Sequence, residues 1–511
     1  MPKILFVVSE AHPLIKTGGL ADVAGGLPAA LASLQADVRL LLPAYPDAVA
    51  RAGKLKPVAQ FSVDGLASPV RLLEGRLPGT RVLIWLVDFP PAYGRPGNPY
   101  LDSRGLPWAD NAMRYALLAR TAVMLALGQL PLHWRPEIVH CHDWQTGLVP
   151  ALLAQENNRP ATVFTIHNLA YQGLFPRDTF SLLGLPASLW AMEGLEFYGQ
   201  LSFMKGGLAF ADRLTTVSPG YAREIQTPEF GAGLDGLLRH RADRLTGILN
   251  GIDENVWNPA RDPLIAGRFS ARRLGDKVPN KLALQREFSL PVDRKTPLIG
   301  MVGRMVQQKG IDLVLETIPG LMHRPIQLVI LGTGDAGYEE ALRLQAARYA
   351  EQLAVRVGYD ERLAHLIEAG ADMFLMPSRF EPCGLNQLYS QRYGTIPIVR
   401  RVGGLADTVT GATEANLKAG KATGILFDEA RGGALLASVD RALALQKNAR
   451  RWKQMMLTGM RQDFSWRHSA TEYLQLYAQT ARVDGQRRDI GPNTKEAHVR
   501  RKRGKRAGPR S

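Results

Sequence analysis

The chain has 511 residues, 46% of them hydrophobic, a formal net charge of +16 and only two cysteines, Cys141 and Cys383. That length exceeds one ordinary domain and fits two domains of roughly 200 to 250 residues each. Two cysteines exclude a disulfide framework and fit a reducing compartment. No apolar run approaches the roughly 18 residues that a membrane span needs, so a soluble, cytoplasmic protein without membrane contact is expected.

The first strand is the apolar run Ile4 to Val8, the pattern of a buried parallel strand. It stops at Ser9 and Glu10, too soon for the core of a secretory signal. The loop that follows holds His12, Pro13, Lys16, Gly18 and Gly19. A lysine beside paired glycines suits close approach to an anionic or hydroxyl-rich ligand. Its spacing is neither the dinucleotide GxGxxG nor the phosphate loop GxxxxGK[ST].

Further strands are expected at VRLLLP, RVLIWLV, EIVHCHD, TVFTIHN, RLTTVS and TGILN, with a helix over 111–127 among the helical stretches between them. Turn formers cluster at Asn250-Gly251 and Asn258-Pro259, which marks a domain break. A second series follows: PLIGMVG, IQLVILG, VRVGY, DMFLMP and IPIVRR. Strand–helix alternation on this scale predicts two parallel α/β sheets. The first domain is placed at 1–246 and the second at 247–463.

The last stretch, 485–511, carries ten Lys or Arg against Asp489 and Glu496, half of the net charge. It has almost no large apolar side chains to offset its ordering entropy. Residues 483–511 are therefore expected to be a solvated basic tail, with a nucleic-acid arm as the sharper alternative. The body is only mildly basic, which suits an anionic small molecule.

Four segments carry candidate chemistry. GMVGRMVQQKGID sets Arg304 and Lys309 at a strand-to-helix turn, where two cations and helix N–H groups suit a diphosphate; surface ion pairs would leave the same pattern. SRFEPCGLNQLY places Glu381 before a helix start whose Cys383 and Gly384 N–H groups are expected to be exposed, a grip for sugar hydroxyls. Thiol chemistry at Cys383 has no histidine nearby in sequence to support it. HCHDW and FTIHN end two strands with His140, His142, Asp143, His167 and Asn168. Their spacing is not a closed zinc site, so no metal is expected. His167 and Asp143 are read as ligands of sugar hydroxyls, His140 and Trp144 as structural. Finally, GGLAD occurs at 18–22 and again at 403–407. Either this repeats a common loop-to-helix solution, or two glycine-rich helix starts face one cleft.

Taken in order, KTGGLADV (16–23), RPGNPY (95–100), HCHDW (140–144), FTIHNLAYQG (164–173), TTVSPGYA (215–222), GILNGID (247–253), GRMVQQKG (303–310), EPCGLNQLY (381–389) and GGLADTV (403–409) closely resemble the bacterial glycogen synthases. The resemblance spans about 1–480. It implies the GT-B fold, two Rossmann-like doubly wound parallel-sheet domains with the active site in the cleft between them. It implies a last helix, 464–482, that returns to the first domain. The implied reaction is retaining transfer of glucose from ADP-glucose to the non-reducing end of an α-1,4-glucan, with no metal or other cofactor.

By the same resemblance, Lys16, Gly18 and Gly19 lie over the donor's phosphates and sugar. Arg304 and Lys309 stabilise departing ADP, and Glu381 holds the glucose hydroxyls beside the Cys383 and Gly384 N–H groups. His167 binds the 6-hydroxyl and Asp143 positions sugar or acceptor. Asn250 lies on the sugar side of the linker, Tyr359 stacks on adenine, and Gly403 and Gly404 contact the diphosphate. Many related retaining transferases carry a second glutamate eight residues after the first; here that position is Tyr389, a departure that glycogen synthases share. Runner-up readings are transfer from UDP-glucose or to another acceptor, and an inactive glucan-binding protein. An oxidoreductase is disfavoured because no GxGxxG follows the first strand.

Overall fold

A computed structural model describes the backbone of residues 2–489 and side chains through residue 481. The first half contains β1 (Lys3–Val7), β2 (Asp37–Pro43), β3 (Lys56–Phe61), β4 (Val70–Arg76), β5 (Leu83–Asp88), β6 (Ile138–His142) and β7 (Ala161–Ile166). Three short strands follow, β8 (Leu174–Phe175), β9 (Glu196–Phe197) and β10 (Gln200–Ser202), then β11 (Arg213–Thr216) and β12 (Leu245–Gly247). The second half contains β13 (Leu298–Val302), β14 (Gln327–Gly332), β15 (Leu353–Val357), β16 (Met373–Met376), β17 (Ile396–Arg400) and β18 (Ile425–Phe427).

The first sheet runs β12-β11-β7-β6-β1-β2-β5-β4-β3. It is parallel except at β3 and β4, which pair antiparallel. Those two were missed in sequence. They form an outer edge, and β3 is mostly exposed, so neither shows the unbroken apolar run of a buried strand. The second sheet runs β15-β14-β13-β16-β17-β18 and is parallel throughout. Its strands are buried on both faces except the edge strand β15, where Arg356 is exposed. In β14, Leu328 and Ile330 enter one apolar cluster and Val329 and Leu331 the other, because successive side chains point to opposite faces.

Strand order reverses between β1 and β6 in the first sheet and between β13 and β16 in the second. Such a reversal splays the two following loops apart and opens a crevice beyond the carboxyl ends of the strands. The two crevices take the loops after β1, β6, β13 and β16, which hold most of the candidate residues.

The chain crosses between domains twice. The expected boundary at 246 falls inside β12, which pairs with β11, so the first crossing lies just beyond that strand. There the Ile252 N–H donates to the Phe464 carbonyl at 2.8 Å, beside the returning segment. The final helix, Trp466–Asp489, then sets Trp466, Ala470, Tyr473 and Tyr477 into the first domain's core. It continues past the expected end at 482. The remainder of the expected tail, 490–511, and with it the nucleic-acid alternative, lies outside the described residues. Among the described residues no helix is long and apolar enough to cross a membrane.

Candidate functional site

Glu381 follows β16 and is 5% exposed. Its Oε2 accepts from Lys309 Nζ at 2.5 Å and from Ser378 Oγ at 3.0 Å. Lys309 reaches it because Gly310 turns the chain with φ +73 and lies against β16; a Cβ there would sit 2.2 Å from the Pro377 carbonyl. Only glycine takes that approach without strain. Arg304 stands free of this pair, exposed, with Nη1 donating to the Tyr171 hydroxyl at 2.8 Å and Nη2 to Gln308 at 3.1 Å. Tyr171 belongs to the first domain, so Arg304 bridges the cleft.

After Glu381 the chain turns at Gly384 (φ +73) into helix Asn386–Arg392. The main-chain N–H groups of Cys383 and Gly384 have no acceptor among the described residues. Burial pushes the Cys383 thiol up to about 12, which keeps it protonated and unsuited to nucleophilic attack. The Asn250 main chain lies against its sulfur. Tyr389 is buried and stacks on Trp257 at 3.7 Å, a packing contact where the wider group carries a carboxylate.

The opposite wall comes from the loops after β1, β6 and β7. His167 Nε2 lies 2.9 Å from His142 Nδ1. Asp143, at φ +55, accepts the His167 N–H through Oδ1 at 2.7 Å and the Asn168 N–H at 3.4 Å, so it also shapes the loop that carries His167. Burial drops the His167 imidazole to about 3 and lifts the Asp143 carboxyl to about 7, with the nearby Glu10 charge adding to the latter. His140 is sealed between the Tyr477 hydroxyl at 2.7 Å and Thr165 Oγ1 at 2.6 Å. Trp144 packs on Tyr115, Phe175 and Phe203. Both are structural, as read from sequence.

Lys16 Nζ contacts Asp22 at 2.6 Å. Burial lowers its pKa, but Asp22, with Tyr359 and Glu361 of the second domain, outweighs that and raises it. Tyr359 is 75% exposed at the cleft rim. Gly18 and Gly19 are open: a Cβ at either would meet nothing within 4 Å.

The second glycine pair differs from expectation. The Gly403 N–H donates to Glu224 Oε1 at 2.7 Å and the Gly404 N–H to the Glu381 carbonyl at 3.1 Å. A Cβ on Gly403 would sit 2.1 Å from that carbonyl, and one on Gly404 would sit 2.2 Å from the Cys383 carbonyl. These glycines permit tight packing behind Glu381, and in this conformation their N–H groups are not free for a diphosphate. The GGLAD repeat therefore marks two helix starts, one open and one packed. Asp407 accepts from the Gly220 N–H, and Ser218 Oγ donates to the Pro382 carbonyl at 2.6 Å, so helix Pro219–Glu224 docks this segment to the first domain.

Sequence reasoning passed over Glu10 and Asp22. Glu10 is buried, accepts from the Thr17 N–H at 2.5 Å and is held at about 7 chiefly by burial. Its place just past β1, at the switch point, was the available signal. Tyr171 lies inside the FTIHNLAYQG motif but carries no charge to draw notice.

A family model for the starch synthase catalytic domain matches residues 3–240, and one for glycosyl transferases group 1 matches 285–456. Glycogen synthase 1 of Methylococcus capsulatus is 59% identical over 475 residues, covering 93% of this chain and 96% of its own. The chain belongs to the glycogen and starch synthase family. The glycogen synthase of Thioalkalivibrio sulfidiphilus is 55% identical over 93% of this chain and 99% of its own. Among solved structures, the catalytic domain of starch synthase IV from Arabidopsis thaliana, bound to ADP and acarbose, superposes with a TM-score of 0.84 at 30% identity, covering 94% of this chain and 99% of that one. The two facing sheets are thus the GT-B fold of this family, and the cleft between them is where its residues converge.

Proposed function

We propose that the protein transfers glucose from ADP-glucose to the non-reducing end of an α-1,4-glucan, with retention of configuration and release of ADP. The observation that carries this reading is the Lys309–Glu381 pair with Arg304 beyond the β13/β16 switch point, where Arg304 meets Tyr171 of the first domain across the cleft. The ADP and acarbose named with the Arabidopsis relative support a nucleotide and an oligosaccharide in the same cleft.

Arg304 and Lys309 stabilise the negative charge that grows on the leaving diphosphate, where fixed cations act most strongly. Lys16 and the open Gly18-Gly19 backbone approach the same phosphates from the other wall. Glu381 orients the glucose, with the free Cys383 and Gly384 N–H groups beside it; His167 holds the 6-hydroxyl and Asp143 the sugar or acceptor. Asn250 borders the sugar, and Tyr359 stacks on adenine. Binding draws the two walls together, which the Arg304–Tyr171 and Gly403–Glu224 contacts favour.

Retention by double displacement needs a carboxylate nucleophile close beneath the anomeric carbon. Glu381 is held by Lys309 and Ser378 instead. In the proposed step the C1–O bond to phosphate breaks and the C1–O4 bond to the acceptor forms on the same face. The acceptor's hydroxyl proton passes to the leaving phosphate oxygen. A trapped glucosyl-carboxylate adduct would overturn this route.

The test is glucose incorporation by the purified protein from ADP-glucose or UDP-glucose, with and without glycogen. Glycogen-dependent incorporation from ADP-glucose that collapses in Glu381→Ala supports the proposal. Preference for UDP-glucose overturns the nucleotide assignment alone. No transfer from either donor returns the chain to a glucan-binding role.

A further inference from the structure

We propose that His142 is a positioning residue that holds His167 in the tautomer protonated on Nδ1, so that His167 presents an N–H donor to the sugar in the cleft. This rests on the reading above, in which His167 faces the transferred glucose.

The argument is an account of protons. His142 Nδ1 and His167 Nε2 lie 2.9 Å apart and share one hydrogen. Burial disfavours the charged form of both rings, so each neutral imidazole carries one proton. Two arrangements remain. If His167 donates through Nε2, His142 must carry its own proton on Nε2. If His142 donates through Nδ1, its Nε2 is a bare lone pair.

His142 Nε2 decides between them. It is buried and has no partner among the described residues. Phe6 and His140 pack against its ring, each with its centroid 4.0 Å away and tilted by 32° and 42°. Phe6 offers no oxygen or nitrogen to accept an N–H from it. His140 cannot accept it either, since both its nitrogens are engaged by Tyr477 and Thr165. Orphaned N–H groups are the rarer defect in protein interiors, and an unmade bond there costs about 1–3 kcal/mol. The proton therefore sits on His142 Nδ1 and is donated to His167 Nε2.

His167 then carries its only proton on Nδ1. That nitrogen has no partner among the described residues, and the ring is only half-buried. The Asp143 carboxylate fixes the backbone of the same residue. His142 thus determines the polarity of the group offered to the ligand, while touching no ligand itself.

The first measurement is long-range ¹H–¹⁵N correlation on the ¹⁵N-histidine-labelled full chain at neutral pH, without ligand. His167 is assigned by difference from His167→Ala. A neutral Nδ1–H pattern is expected. An Nε2–H pattern or an imidazolium at His167 overturns the proposal, and does so whether or not the protein transfers glucose. The second measurement compares His142→Leu with His142→Asn, whose side-chain amide can restore a donor near the Nδ1 position. In His142→Leu the single tautomer should give way to a mixture, and kcat should fall about tenfold, the equivalent of one hydrogen bond. The donor's KM should change less, and His142→Asn should recover part of the kcat loss. A His142→Leu protein with unchanged tautomer and kcat overturns the proposal. An intact tautomer in a protein that transfers no glucose overturns the functional reading and leaves the tautomer assignment standing.

Discussion

Replacing Glu10 with glutamine is expected to stabilise the protein at pH 8 and to do little near pH 5. Glu10 is 2% exposed, and burial above all holds its carboxyl at about 7 rather than 4.5, with Asp22 repulsion adding. The native protein therefore keeps the proton up to near neutrality, whereas the unfolded chain releases it near the ordinary value. Across that window the native state binds more protons, so stability falls as pH rises. Ionising Glu10 in the folded protein costs about 3 kcal/mol once pH exceeds the native value, and nothing below about pH 4. Glutamine matches the protonated acid in shape, can still accept the Thr17 N–H, and carries no charge. Asp143, which the Glu10 charge helps to raise, should also ionise more easily in the variant. Urea unfolding of both proteins at pH 5 and pH 8 reads the difference. A gain at pH 8 approaching about 3 kcal/mol, shrinking toward pH 5, is expected. An equal effect at both values, or a loss at pH 8, would show that favourable contacts hold the ionised carboxylate, and the burial argument would fail.

Lys309→Ala leaves Glu381 buried without its cation and removes a charge from the leaving-group side; kcat should fall by about 10²–10³, and a loss under threefold would refute the clamp. Tyr359→Ala, at an exposed rim position, should raise the donor KM by roughly tenfold with kcat and thermal stability nearly unchanged, as for loss of one stacking contact; an unchanged KM removes the residue from the nucleotide site. Gly403→Ala forces a Cβ against the Glu381 carbonyl at φ +41 and should cost at least about 2 kcal/mol in unfolding together with activity. A neutral outcome there would mean that the Glu381 loop yields freely.

The sequence by itself determined the two doubly wound domains, because parallel strands buried on both faces must be largely apolar, as β13, β14, β16 and β17 are. It also determined most of the cleft, because Arg304, Lys309, Glu381, His167 and Asp143 sit in ordered motifs at strand ends. Partners far apart in the chain were beyond its reach. No local pattern shows that the Gly403 N–H is taken by Glu224, that Tyr171 meets Arg304, or that Glu10 is sealed beside Asp143. Nor does periodicity separate Gly18, which faces open space, from Gly403, which packs on a carbonyl, although both begin the same five residues. Burial, charge coupling and hydrogen-bond partnership depend on what distant segments of the chain, from either domain, bring within a few ångströms. Only the tertiary arrangement of the two sheets decides that.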